Sequence, residues 1–362
     1  MIQIAAPIIG EEEIRNVMKV LHSGMLAQGP YVRQLEEEFA KLCGTKYAVA
    51  VNSGTAALHT SLYASGIRPG DEVITVPFTF VASANSIIMQ GAKPIFVDVD
   101  ENTFNINPKL IEEKITPNTK AILPVHLYGQ PCDMGSIRKI AKRNDLKVIE
   151  DSAQAVGAEI DGQKTGNLGD LAAFSFYATK NMITGEGGII TTNNEQFAEF
   201  ARRFRHHGQS EKTRYEYYDL GFNYRMMDIQ AAIGLAQLNK VEKLTQKRIF
   251  NAHKLSKGLK DIQEIETPFV KDNVKHVFHQ YTIKVKDSRD KLREHLKNKG
   301  IGTGIYYPKP LHLHPFFAAL DYKKGDFPVS EKLSEQVLSL PVHPLVSEAD
   351  IENIINVLRK YK

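Results

Sequence analysis

From about residue 47 to residue 192, short apolar runs alternate with amphipathic stretches. Tyr47-Ala48-Val49-Ala50-Val51 reads as a buried strand. Residues 55–65 then read as a helix, with Ser53 placed to cap its start. Further strands are predicted at 72–76, 94–99, 119–125, 146–151, 171–177 and 188–192, with helices at 80–90 and 134–144. Strands that alternate with helices predict an α/β fold, its largely parallel sheet covered on both faces. Ligands collect at the carboxyl ends of such strands. In this chain those ends carry Asn52-Ser53, Asp98, His126, Asp151 and Ala178-Thr179-Lys180.

After residue 229 the pattern changes. Residues 229–258 form one long helical pattern rich in Ala, Leu, Gln and Lys. An alternating segment follows at 280–285, then helices at 288–299 and 347–360. The expectation is a large domain over 1–240, including an N-terminal arm, and a smaller α+β domain over 241–362. No internal repeat interrupts either part.

Composition narrows the function classes. Hydrophobic residues make up 42% of the 362 and charged residues 24%, which excludes wholesale disorder. A net charge of +4 argues against a dedicated nucleic-acid binder. The one basic run, Arg202-Arg203-Phe204-Arg205-His206-His207, reads as a helix end, a nucleotide-diphosphate contact or a solvated face. The uncharged stretch 73–92 approaches the length of a membrane helix. It contains Pro77, Thr79, Ser83, Asn85, Ser86 and Gln90, so it reads as strand, turn and buried helix. The start lacks the pattern of a secretory signal. Cys43 and Cys132 have no metal-type spacing, and the expectation is a reducing cytoplasm without disulfides.

Four local features carry candidate chemistry. Asn52-Ser53-Gly54-Thr55-Ala56-Ala57 opens a helix directly after a strand, and its small residues and free N–H groups suit a phosphate. Pro77-Phe78-Thr79-Phe80 places aromatics at a strand-to-helix turn, where a flat ring could stack. Asp151 ends an apolar strand, and a buried carboxylate there needs a cationic partner. Lys180 follows an apolar strand and precedes Gly185-Glu186-Gly187-Gly188; partial burial would favour its neutral, nucleophilic amine. Each alone admits an ordinary structural reading: a capped helix start, core packing, an ion pair, a solvent-reaching lysine. Together they match what pyridoxal 5′-phosphate needs: a phosphate cradle, a flat face, a carboxylate for the ring nitrogen and a lysine for the aldehyde.

The chain resembles the DegT/StrS sugar aminotransferases among the fold-type I pyridoxal-phosphate enzymes. The resemblance rests on Ser53-Gly54-Thr55-Ala56-Ala57-Leu58, Gly70-Asp71-Glu72-Val73-Ile74, Phe96-Val97-Asp98, Pro124-Val125-His126-Leu127-Tyr128-Gly129 and Glu150-Asp151-Ser152-Ala153-Gln154. It continues through Phe174-Ser175-Phe176, Thr179-Lys180-Asn181, Gly185-Glu186-Gly187-Gly188 and Gly221-Phe222-Asn223-Tyr224-Arg225. These segments lie in family order over nearly the whole chain.

The resemblance implies that Lys180 is the Schiff-base lysine and proton shuttle. It implies that Asp151 pairs with the pyridinium nitrogen and Gln154 lies near the ring hydroxyl. Phe80 would stack on the ring, in a chain without Trp. Gly54, Thr55, Ala56 and Ser175 would hold the phosphate, and Asn223 would reach the phosphate of a neighbouring subunit in a homodimer with shared sites. The implied reaction moves an amino group from L-glutamate to a nucleotide-linked keto-sugar. Two other readings belong to the same fold: a sugar dehydratase, in which a His replaces the lysine, and a regulator without chemistry. Intact Lys180 speaks against the first, and the complete set from Thr55 to Lys180 against the second. In the segment 304–312, Tyr306, Tyr307 and His312 are candidate sugar contacts, with a packed loop as the other reading. His312 and His314 lack an evident third metal ligand, so no metal is expected.

Overall fold

A computed structural model of the chain describes residues 1–210, 213 and 215–361. Seven strands form the main sheet: β1 (Tyr47–Val51), β2 (Glu72–Thr75), β3 (Lys93–Phe96), β4 (Thr119–Ile122), β5 (Lys147–Asp151), β8 (Leu171–Ser175) and β9 (Gly188–Thr192). Their order is β1-β9-β8-β5-β4-β2-β3. All pair in parallel except β9, which runs antiparallel to both of its neighbours. β1, β5, β8 and β9 are almost wholly buried, as strands covered on both faces must be, and β5 carries Glu150 and Asp151 into that interior.

Five helices connect or cover these strands: α3 (Gly54–Ala64), α4 (Ala82–Met89), α5 (Met134–Arg143), α6 (Glu195–Arg205) and α7 (Asp228–Leu238). α4 begins two residues later than the sequence pattern suggests, which leaves Phe80 and Val81 in the preceding turn. Two N-terminal helices, α1 (Glu11–Ser23) and α2 (Pro30–Cys43), stand where the sequence reading has only an arm. The start of α2 is fixed by Asp228, whose carboxylate accepts from the N–H groups of Gly29 (2.8 Å), Tyr31 (3.3 Å) and Val32 (3.0 Å).

The single helix expected over 229–258 is two helices, α7 and α8 (Val241–Leu259). No Pro or Gly marks the break at Asn239-Lys240. Side chains from α1 hold it instead. Glu13 accepts from Gln237 and from Lys240, both at 2.6 Å, and Glu12 accepts from Asn239 at 3.0 Å.

A second, antiparallel sheet has the order β10 (Ile265–Glu266), β12 (Tyr281–Val285), β13 (Val337–Leu340). Its core includes Leu255, Leu259, Ile283, Leu296, Leu338, Ile351 and Ile354, contributed with α8, α9 (Arg289–Asn298) and α11 (Glu348–Arg359). A minor sheet joins β6 (Glu159–Ile160), β7 (Gln163–Lys164) and β11 (Val274–Lys275). One segment links the two main sheets. Gly304 bridges to Ser339, and Leu311 N–H donates to Pro77 O at 2.8 Å. Leu311, Phe317 and Phe327 then pack against Ala84 and Phe96, ahead of α10 (Pro328–Gln336). This route carries Tyr306 and Tyr307 over the ligand end of the large sheet. Among the described residues, no helix is long and apolar enough to cross a membrane.

Candidate active site

A cavity of about 500 Å³ opens at the carboxyl ends of β1, β5 and β8. That volume suits a cofactor with room for a substrate. Gly54, Thr55, Phe80, Asp151, Gln154, Ser175, Lys180, Tyr306 and Tyr307 all line it. Sequence positions 54 to 307 therefore converge on one space.

The floor is the start of α3. Ser53 caps the helix, its hydroxyl accepting the Ala56 N–H at 3.1 Å. The N–H groups of Gly54 and Thr55 are left without an acceptor among the described residues, as helix starts leave them. Ala56 does not line the cavity, and its N–H serves the cap. Gly54 is required by close approach: a Cβ there would lie 2.7 Å from Ser175 Cβ. An oxyanion fits this corner, between two open N–H groups and the Ser175 hydroxyl.

Asp151 ends β5 and is buried. Ser83 donates to its Oδ2 at 2.7 Å, and the Ala153 N–H donates to Oδ1 at 3.2 Å. Burial pushes this carboxyl above its usual range, against the pull of those bonds and of Lys180 and His126. Lys180 lies in the turn after β8, and burial pulls its amine down to about 8, opposed by Asp151. An acid and an amine thus face one space, and each favours the charged form of the other.

Gln154 has a fixed orientation. Its Oε1 accepts the Tyr128 N–H at 2.8 Å and its Nε2 donates to the Tyr307 hydroxyl at 3.2 Å. One Nε2 hydrogen remains. Phe80 is 56% exposed, so a face of its ring is open to a planar partner, with the Tyr307 ring tilted at 6.3 Å.

Two other expected residues lie elsewhere. His312 is buried in a 3-10 turn, its Nε2 3.0 Å from Glu331 and its ring edge-on to Phe327. It does not line the cavity. Asn223 is exposed, bridges to His206 and takes no part in this chain's cavity. Asp98 caps α10 through Val329 and Ser330, both at 2.9 Å, and His126 turns away to Glu150 at 3.0 Å. The basic run disperses: Arg203 pairs with Asp219 at 3.0 Å, and Arg205 is buried against Glu36. Among the described residues, no three His, Cys, Asp or Glu side chains are grouped to hold a metal.

The sequence reading missed Thr79, Ser83 and His279 in the cavity wall. His279 is held well below its usual range, mainly by burial, and is neutral. Asn181 donates to Val277 O at 3.0 Å, so its Oδ1 faces His279 Nδ1 at 3.3 Å and fixes the proton there. Two histidines in the apolar run 274–285 were the available signal.

The residues present fit pyridoxal 5′-phosphate: an anion corner, an open aromatic face, a buried carboxylate and a lysine, all lining one cavity at the ligand end of the sheet. A mostly parallel sheet with its ligand end built this way is the fold-type I pyridoxal-phosphate fold. DesV of S. venezuelae shares it with a TM-score of 0.94 and 38% identity, over 96% of this chain and 94% of that one. The chain belongs to the DegT/DnrJ/EryC1/StrS aminotransferase family, whose sequence model matches residues 7–359. It is 42% identical to GDP-perosamine synthase of Caulobacter vibrioides, over 99% of this chain and 97% of that one. It is 40% identical to UDP-2-acetamido-2-deoxy-3-oxo-D-glucuronate aminotransferase of Pseudomonas aeruginosa, over 94% of each. The enzyme is a pyridoxal-phosphate-dependent sugar aminotransferase.

Proposed function

We propose that the enzyme transfers an amino group from L-glutamate to the keto carbon of a nucleotide-linked sugar, and does so as a homodimer with shared sites. The observation that carries this reading is the meeting of Lys180 and Asp151 in one cavity whose outer wall is Tyr306 and Tyr307. Relatives named for a GDP-linked and a UDP-linked sugar support the nucleotide-linked class.

Bound in this cavity, pyridoxal phosphate supplies a carbonyl for amines and a ring that withdraws electrons. The chain's own residues do the rest. Gly54 and Thr55 N–H groups and the Ser175 hydroxyl would hold the phosphate. Phe80 would cover one ring face. The Asp151 carboxylate would pair with the ring nitrogen and favour a proton on it. Gln154 would offer its remaining Nε2 hydrogen to the ring oxygen. Lys180 Nζ, with its lowered proton affinity, takes a proton from a substrate carbon and returns it. Tyr306 and Tyr307 face the sugar.

Two surface features support a second copy. α1 exposes Ile14, Met18 and Leu21 on one apolar stripe, continued by Met25 and Leu26. Leu220 and Met227 are exposed near Asn223, which on this reading reaches the partner's phosphate.

The test is a panel of nucleotide keto-sugars incubated with glutamate, with products identified by mass spectrometry and NMR. One aminated sugar and one 2-oxoglutarate per turnover are expected, and Lys180→Ala abolishes both. An enzyme that aminates none of the panel, or a Lys180→Ala variant that keeps turning over, overturns the reading.

A further inference from the structure

The turn before α4 and the first turn of α4 hold two buried hydroxyls that the reaction has not yet used, those of Thr79 (2% exposed) and Ser83 (1% exposed). Ser83 Oγ lies 2.7 Å from Asp151 Oδ2, and Thr79 Oγ1 lies 3.0 Å from Ser83 Oγ. An ionised carboxylate only accepts, so Ser83 gives its one hydroxyl proton to Asp151. Thr79 must then donate to Ser83. The direction of the chain is fixed: Thr79 to Ser83 to Asp151.

On the other side of the carboxylate, Oδ1 takes the Ala153 N–H at 3.2 Å. Each oxygen therefore has one protein donor and one lone pair to spare. No cation lies within 4 Å of Asp151 among the described residues. The titratable groups that act on it are Lys180, His126 and Tyr307. Its ionised form depends on hydrogen bonds more than on an ion pair. The same turn carries Phe80, whose carbonyl accepts the Ser83 N–H at 3.2 Å. The stacking ring and the carboxylate are thus aimed by one stretch of five residues. The start of α4 adds its positive end.

We propose that Thr79 and Ser83 are positioning residues: an ordered hydroxyl pair that aims the Asp151 carboxylate and keeps it ionised, so that it holds the proton on the cofactor's ring nitrogen. This rests on the reading of Asp151 as the partner of that nitrogen.

The test uses the holoenzyme loaded with cofactor labelled with ¹⁵N in the ring. The readouts are the pH midpoint of the ring-nitrogen shift, the cofactor dissociation constant, and kcat and KM for the sugar. Ser83→Ala is expected to lower the midpoint by about one pH unit and kcat by about tenfold, the scale of one hydrogen bond to a charged group. The sugar KM stays unchanged. Thr79→Val moves the midpoint in the same direction by less, and Thr79→Ser restores it. A Ser83→Ala enzyme with the wild-type midpoint overturns the proposal. If Ser83→Ala does not fold, Thr79→Val decides, and a midpoint equal to wild type overturns it. A wild-type ring nitrogen that never carries a proton overturns both this proposal and the Asp151 role. A shifted midpoint without sugar amination upholds the hydroxyl pair and counts only against the substrate.

Discussion

Gly54 and Ser175 press against each other across the start of α3, so closely that a Cβ on Gly54 would lie 2.7 Å from Ser175 Cβ and 3.0 Å from its Oγ. Both residues face the anion corner. Gly54→Ala must push Ser175 or the helix start aside, at a cost of about 1–3 kcal/mol. Cofactor affinity is expected to fall about tenfold or more, read by titrating the cofactor-free protein. Unchanged affinity would mean that this corner does not hold the phosphate.

The lysine sets a pH dependence. Burial lowers Lys180 to about 8, and Asp151 opposes this. In cofactor-free protein, modification of the Lys180 amine should therefore rise with pH and level off above about 9. Asp151→Asn removes the opposing charge, so the midpoint should move below 8. Peptide mass spectrometry of the modified protein gives both curves. The stability sign follows. The folded state releases this proton earlier than the unfolded chain, so this group favours folding increasingly between pH 8 and about 10.4.

Glu150 stands next to Asp151 but points to the opposite face of β5. It accepts from Gly166, Leu168 and Gly169 N–H groups at 2.8–2.9 Å and from His126 at 3.0 Å. Glu150→Ala leaves these donors buried and unpaired. Urea unfolding should show a loss of about 3–5 kcal/mol, much more than for Glu150→Gln. A loss below about 1 kcal/mol would count against this network.

His312 separates packing from chemistry. It is buried against Glu331 and Phe327 and does not line the cavity. His312→Ala should lower stability by about 2 kcal/mol or more, through lost packing and the loss of its contact with Glu331, which keeps the Gly325 N–H at 2.8 Å. The sugar KM should stay within about twofold of wild type. A large rise in KM at full stability would restore His312 to the substrate site.

All seven main-sheet strands are legible in the sequence, because each is an apolar run closed by a polar turn. The direction of β9 is less open to reading. It follows from the connection 176–187, which contains no helix to cross the sheet. The break between α7 and α8 leaves no local mark, since Glu12 and Glu13 impose it from more than 220 residues away. Asp151 stands out because a charged residue ending a buried strand needs a reason, and Lys180 because it follows such a strand just ahead of a Gly-rich turn. Ser83 is visible in the sequence only as a polar residue that argues against a membrane span, and Thr79 only as that and as a neighbour of the turn's aromatics. Their partner, Asp151, is 68 positions from Ser83, and no periodicity reveals that distance. A histidine after Tyr-Tyr-Pro reads the same in sequence whether it points to a ligand or, as His312 does here, packs against Glu331 and Phe327.

Gly188 lies in register with Val51 on one side and Ser175 on the other. A Cβ at this position would lie 2.4 Å from Ser53 O and 2.8 Å from Phe174 O. The strand that feeds the phosphate corner and the strand that feeds Lys180 are therefore riveted to one atom-tight point. Neither can slip without the other, and the cofactor end behaves as a single rigid jig. Tyr306 and Tyr307 arrive on a separate span of chain, fastened by Gly304 and Leu311. One wall of the cavity is therefore hung on a span of chain separate from the strands that carry Asp151 and Lys180.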